Sequence, residues 1–179
     1  MVLHQKDKWV RAGVEDRFLL SELGAQTFKE SHGHSASEND ISDYISRKFT
    51  PDALLLELQD PRHYFFIYYH YQAPVGYVKI IPDCSHPELP GIALTKLERL
   101  YVLKDFYGTG AGQKMLDYAI SLSRQMGQKG MWLYVWKENY RAIAFYQKNG
   151  FVPVGSFDFE ISPTHVNPNH RMLFLYSKV

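Results

Sequence analysis

The stretch "DFYGTGAGQKML", residues 105–116, decides how this chain is read, because it sets Gly108, Gly110 and Gly112 at alternate positions just before an amphipathic helix. Glycine tolerates positive φ and lets a ligand approach the main chain. A helix N-terminus adds free N–H groups and the positive end of its dipole, so an anion site follows from the combination. A triphosphate-binding loop needs G-x-x-x-x-G-K-[ST], whereas Gly112 is followed by Gln113 and Lys114. A dinucleotide fingerprint needs G-x-G-x-x-G in a parallel sheet, and the spacing here is G-x-G-x-G. On these residues alone, a glycine-rich turn that only starts a helix stays open.

Working outward, "TKLERLYVL" (95–103) alternates as a strand, with Leu100 and Val102 on one face and Leu97, Arg99, Tyr101 and Leu103 on the other. Met115, Leu116, Ala119, Ile120 and Leu122 then recur at helical spacing, ending near Gly127 or Gly130. The apolar run "MWLYVW" (131–136) suits a buried parallel strand, and "NYRAIAFYQKNG" (139–150) a short helix closed by Gly150. "FVPVGSFDFEI" (151–161) and "RMLFLYSKV" (171–179) read as a final antiparallel pair joined by the loop "SPTHVNPNH" (162–170). Upstream, "WVRAG" (9–13) is strand-like and leads into a helix with Phe18, Leu19, Leu23 and Phe28 at helical spacing. Ile41, Tyr44, Ile45 and Phe49 mark a second short helix, and Thr50 caps a third that starts at Pro51. "HYFFIYYHYQ" (63–72) and "APVGYVKIIP" (73–82) form a hairpin turning near residues 72–74. The pattern predicts one α/β domain over residues 1–179, a mixed sheet covered by helices.

With 20 Lys plus Arg against 19 Asp plus Glu, the net charge is +1. That balance gives no general pull toward nucleic acid or anionic lipid. The single Cys84 cannot close an intramolecular disulfide, and charges occupy the N-terminus where a secretory signal needs an apolar core, so a cytoplasmic setting is expected. The longest aromatic run, "YFFIYYHYQ", is too short to span a bilayer. Neither a nucleic-acid nor a membrane partner is expected. His32 and His34 share one polar loop, His165 and His170 another, without the spacing of a metal site, so no metal is assigned.

Two stretches together change the odds for the glycine loop. "LYV" at 100–102, "YGTGAG" at 107–112, and Asn139, Ala142, Phe145, Tyr146, Gly150 and Phe151 follow the order of the GCN5-related N-acetyltransferase (GNAT) family, which the chain resembles over residues 62–175. That family pairs a strand of type L-Y-V and a Q/R-x-x-G-x-G/A loop with N-x-x-A-x-x-F-Y-x-x-x-G-F. Tyr107 departs from the pattern, standing where Arg or Gln is usual. "FFIYYHYQAPVGYVKI", "LERLYV" and the front segment "TFKESHGHSASENDISDYISRKF" also look like the bacterial spermidine/spermine N-acetyltransferase branch.

The resemblance implies a mostly antiparallel, splayed sheet of six to seven strands flanked by helices. It implies acetyl-CoA as co-substrate and a small-molecule primary amine, such as spermidine or spermine, as acceptor in a ternary complex. Carried onto this sequence, the pantetheine arm pairs with the main chain of Leu100, Tyr101 and Val102, and the pyrophosphate sits on Tyr107, Gly108, Thr109, Gly110, Ala111, Gly112 and Gln113. Asn139 hydrogen-bonds the pantetheine, caps the following helix, or does both. Tyr146 is the general acid, since a phenol titrating at about 10 can protonate a thiolate whose thiol titrates at about 8 to 9. Glu98, placed on the face of Leu100 by strand alternation, is the candidate base; its alternative is a surface carboxylate paired with Arg99 or Lys79. Glu30, Glu38, Asp40 and Asp43 are candidates for an acidic amine-binding mouth. The "RMLFLYSKV" strand offers a sheet edge for a homodimer. Acetylation of a peptide amine, or non-catalytic acyl-CoA sensing, stays open beside these readings.

Overall fold

In the computed structural model, which describes residues 7–176, strand β1 (Asp7–Arg11) leads into helices α1 (Arg17–His32), α2 (Glu38–Lys48) and α3 (Pro51–Gln59). The hairpin β2 (Tyr64–His70) and β3 (Ala73–Ile81) follows, then β4 (Leu94–Val102) and α4 (Ala111–Gln125). β5 (Gly130–Trp136), α5 (Tyr140–Lys148), β6 (Val152–Ser162) and β7 (His165–Leu175) complete the order. Local chemistry sets several of these ends. The Thr50 hydroxyl accepts the Ala53 N–H at 3.2 Å with Pro51 at the first position of α3, and the Asn139 side chain accepts the Ala142 N–H at 3.1 Å to start α5.

The seven strands lie in the order β1-β2-β3-β4-β5-β7-β6, all neighbours antiparallel except β4 and β5. One face packs Val78, Leu97, Val102 and Leu133 against Met115, Leu116 and Ala119 of α4 and Tyr146 of α5. The other packs Phe65, Ile67 and Tyr77 against Leu20, Leu23 and Phe28 of α1, with Tyr44 of α2 and Leu54 of α3. On α1 it is Leu20 that is fully buried, while Phe18, one of the apolar residues at helical spacing, is 56% exposed.

One irregularity matters most for the site. Lys79 pairs with Arg99 but its neighbour Ile80 pairs with Leu97, which leaves Glu98 as an extra residue in β4. Such a bulge flips side chains beyond it and adds twist. Leu97 therefore joins Leu100 and Val102 in the α4-side core, and Glu98 turns to Lys79 on the opposite face. Both differ from the simple alternation expected for 95–103. The parallel ladder to β5 joins only Leu94–Lys96 to Gly130–Trp132, so β4 leaves β5 where the bulge begins.

Three other expectations are corrected. The hairpin turn is Tyr71 and Gln72, with Tyr71 at φ 54°. The expected long loop 162–170 is mostly strand, because β7 starts at His165 and only residues 163–164 turn. Pro168 is tolerated in β7 because its peptide faces the frayed end of β5, where its carbonyl accepts the Lys137 N–H at 2.9 Å, so its missing N–H costs the β6 ladder nothing. β7 also lies between β5 and β6, so it offers no free edge for a dimer; β1 and β6 are the outer strands. Residues 177–179 of its expected span lie outside the described residues.

β3 meets β4 closely at Gly76, where a Cβ would sit 2.5 Å from the Tyr101 carbonyl oxygen and 3.0 Å from Met115 Sδ. Gly76→Ala is expected to lower stability by about 1–3 kcal/mol, the usual cost of forcing an atom into a packed core. Urea unfolding of the two proteins measures it, and equal midpoints would refute the close approach.

Candidate active site

The separation of β4 from β5 leaves main-chain groups in a cleft. Leu103 donates its N–H to the Val75 carbonyl at 2.9 Å, and Tyr101 pairs with Tyr77 across the same ladder. Because N–H directions alternate along a strand, Leu100 and Val102 turn their N–H and C=O groups the other way, into the space β5 has vacated. Polar main chain needs partners, so this edge has the geometry to pair with an extended, amide-bearing ligand.

Immediately beyond, the chain passes through Gly108 (φ 77°) and Gly110 (φ 86°) into α4, with Gly110 in the left-handed N-cap position. The first intrahelical bond is donated by Lys114 to the Gly110 carbonyl at 3.1 Å. The N–H groups of Gly112 and Gln113 thus belong to the unsatisfied first turn. The Gln113 side chain is already engaged, exchanging hydrogen bonds of 2.7 and 3.1 Å with the Asn149 amide and so tying α4 to the end of α5.

These parts face one cavity of about 530 Å³, and Leu100, Tyr101, Val102, Tyr107, Gly108, Gly110, Gly112, Gln113, Asn139 and Tyr146 all line it. Of the loop residues expected there, Thr109 turns its hydroxyl back to the Phe106 carbonyl at 2.8 Å, and Ala111 packs into the core. The cavity also reaches Thr27, Phe28, Ser31 and His32 of α1 and Phe159, Asn167 and Asn169 of β6 and β7. Since α1 and α4 cover opposite faces of the sheet, the cavity runs through the sheet at the β4–β5 split.

Tyr146 is 9% exposed, with its ring edge-on to Phe145 and Phe151. Burial pushes its phenol well above the usual tyrosine range, Tyr101 adds to this, and Arg141 counters a part of it. The group therefore keeps its proton. Asn139 uses Oδ1 for the helix cap and leaves Nδ2 for a ligand.

Glu98 is not brought to this cavity. Its Oε1 accepts from Lys79 Nζ at 3.1 Å and its Oε2 lies 3.2 Å from Lys96 Nζ, within a cluster completed by Glu57 and Arg99. Burial acts to raise its pKa, but Lys79, Lys96 and Arg99 outweigh that and hold it at about 2. A carboxylate so strongly stabilised, and outside the lining, favours the ion-pair reading of Glu98 over the expected base. The acids expected at an amine mouth are also absent from the lining: Glu30 accepts the Lys104 N–H at 2.7 Å, Asp40 is bonded to Ser37 at the start of α2, and Glu38 and Asp43 are exposed. Among the described residues no group of three or more His, Cys, Asp or Glu side chains converges as a metal site.

Linear reading placed His32 in a polar loop, whereas it ends α1, and missed Trp136 of β5, Arg141 of α5 and Asn167 and Asn169 of β7, which all reach the cavity. His32 stacks on Phe28 at 4.8 Å, and its Nδ1 is 2.7 Å from the Ser31 hydroxyl. Burial, with His34 nearby, lowers its pKa to about 4. The unfolded chain, titrating near 6.5, then binds a proton that the folded chain refuses between those values, so stability falls as pH drops from about 6.5 to about 4. His63 and His86, also lowered by burial, act in the same direction. His32→Gln is expected to flatten the loss in thermal-unfolding scans over that window; an unchanged slope would contradict a neutral His32.

The family model described as an acetyltransferase (GNAT) domain matches residues 61–153, just over half of the chain. An uncharacterized N-acetyltransferase of Lactobacillus delbrueckii subsp. lactis is 26% identical over 144 residues, covering 80% of this chain and 83% of that protein. One of Mycobacterium tuberculosis is 26% identical over 148 residues, covering 83% and 90%. Among solved structures, PaiA N-acetyltransferase from Thermoplasma acidophilum in complex with coenzyme A superposes with a TM-score of 0.76 at 21% identity, over 96% of this chain and all of that one. Arabidopsis thaliana Naa50, in complex with the bisubstrate analogue CoA-Ac-MVNAL, superposes at 0.66 with 15% identity, over 96% and 100%. The unpaired main-chain edge and the glycine-started helix fit a pantetheine and a diphosphate, and with that family model spanning both, the chain belongs to the GNAT acetyltransferases and is an N-acetyltransferase that uses acetyl-CoA.

Proposed function

We propose that the chain acetylates a primary amine by direct attack within a ternary complex, with Tyr146 as proton donor to the leaving thiolate. The observation that carries this reading is the placement of the Tyr146 phenol on the same through-sheet cavity as the open edge of β4. Acetyl-CoA supplies an acetyl thioester as electrophile. Leu100 and Val102 would offer main-chain donors and acceptors to the pantetheine amides, Asn139 would offer Nδ2, and the N–H groups of the first turn of α4 would hold the diphosphate. A C–N bond forms as the C–S bond breaks. Tyr146 gives its proton to sulfur and recovers one through water from the acetylated nitrogen. Although burial makes the phenol a weaker acid, it also disfavours a bare thiolate, so both changes keep the transfer matched.

Among the described residues no Asp or Glu lines the cavity, whose α1-side wall is built from Phe28, His32, Trp136, Phe159, Asn167 and Asn169. A desolvated polycation finds no counter-charge there. That supports an acceptor whose primary amine enters neutral on an uncharged, partly apolar body, in preference to the spermidine or spermine implied by sequence resemblance. A peptide α-amine suits the same wall, and the Naa50 complex carries the sequence MVNAL on coenzyme A.

Tyr146→Phe is expected to lower kcat by about 100-fold or more while coenzyme A affinity changes little. Steady-state rates with binding calorimetry test it, and an unaltered kcat would remove Tyr146 from the chemistry. In an amine panel read by released thiol, arylalkyl monoamines or uncharged peptides should exceed spermidine in kcat/KM. A clear preference for spermidine would overturn the acceptor reading and leave the Tyr146 role standing.

A further inference from the structure

The glycine loop carries an aromatic residue at its lip, and a cation rests on it. The Arg141 guanidinium carbon lies 3.6 Å from the centroid of the Tyr107 ring. Arg141 belongs to the first turn of α5, directly after the Asn139 cap, and both it and Tyr107 line the cavity beside Gly108 and Gly110. Among the described residues no carboxylate pairs with Arg141, and none lines the cavity. A permanently charged group is thus held by an aromatic face at a place where the protein supplies no anion. Stacking suits a guanidinium in particular, because it covers one face of the plane and leaves the in-plane N–H donors free to form a bidentate pair with a phosphate.

Charge accounting points the same way. A helix N-terminus contributes about half a positive charge and its free N–H groups. A diphosphate brings more negative charge than that, and the glycines of the loop add none. Arg141 would supply a full charge from across the cavity, and Lys148, on the same helix, also lines it.

We infer that Arg141, positioned by the Tyr107 ring, is the cationic partner of the coenzyme A diphosphate in this chain. The assignment rests on the cavity being the acetyl-CoA site. It makes Tyr107 a positioning residue whose ring orients the guanidinium.

Titration calorimetry with coenzyme A tests the pair. Arg141→Ala is expected to weaken binding about 10- to 100-fold, the range for a charge-assisted hydrogen bond. The loss should be equal with 3′-dephospho-coenzyme A, since the missing partner contacts the diphosphate. Tyr107→Ala should weaken binding more than Tyr107→Phe, which keeps a ring beneath the guanidinium. Tyr107→Arg placed in the Arg141→Ala background should recover much of the loss, because it returns a cation to the loop, and a role confined to folding predicts no such rescue. Arg141→Ala binding as tightly as the unmodified chain, a loss that vanishes with the dephospho ligand, or failed rescue in a double variant of unchanged melting temperature would each overturn the inference. Absence of coenzyme A binding by the unmodified chain would instead refute the cofactor-site reading itself.

Discussion

The short parallel ladder between β4 and β5 is the constraint on which the rest depends. Three residue pairs, from Leu94 with Gly130 to Lys96 with Trp132, hold the strands together, and then they part. Each remains anchored on its other side, β4 to β3 and β5 to β7, so the sheet stays continuous while a cleft opens in its middle. The Glu98 bulge gives the parting a local cause, since an inserted residue bends and twists the strand just past the last ladder pair. The ion cluster of Lys79, Glu57, Glu98 and Arg99 surrounds that bulge and fixes it from the α3 side. A carboxylate that linear reading offered as a base thus works on the architecture.

Cavity chemistry follows from which elements meet at the split. α4 brings its amide-rich N-terminus, α5 brings Asn139, Arg141 and Tyr146, and the opposite layer brings aromatic and amide side chains with a neutral histidine. The positively charged side chains of the lining, Arg141 and Lys148, lie on α5, while the far wall is uncharged. In the proposed reading one end recognises phosphates, and the other admits a nitrogen that has shed its proton.

Much of this was legible in the chain because the signals were local. Thr50 with Pro51, Asn139 before its helix, and Gly110 before α4 each act within one turn, so residue type and spacing suffice. The order of strands and helices, and the glycine loop with Tyr146 beyond it, were readable for the same reason. What escaped depends on partners far along the chain. The bulge is defined by the register of β3 against β4, and no feature of "TKLERLYVL" marks which residue is extra. The stretch read as a loop at 162–170 is strand because β7 pairs with β5 on one side and β6 on the other, partners that no local signal marks. The α1-side wall of the cavity joins α1 to β6 and β7, more than a hundred residues apart in sequence, and the stack of Arg141 on Tyr107 joins the first turn of α5 to the loop before α4, which only the folded sheet brings together.

The central claim is that free main chain at the split, together with the first turn of α4, receives the cofactor. Residue-resolved amide hydrogen exchange with and without coenzyme A tests it most directly. The account predicts slowed exchange at Leu100, Val102 and residues 108–113 when coenzyme A is added. Protection appearing elsewhere, with these amides unchanged, would contradict it.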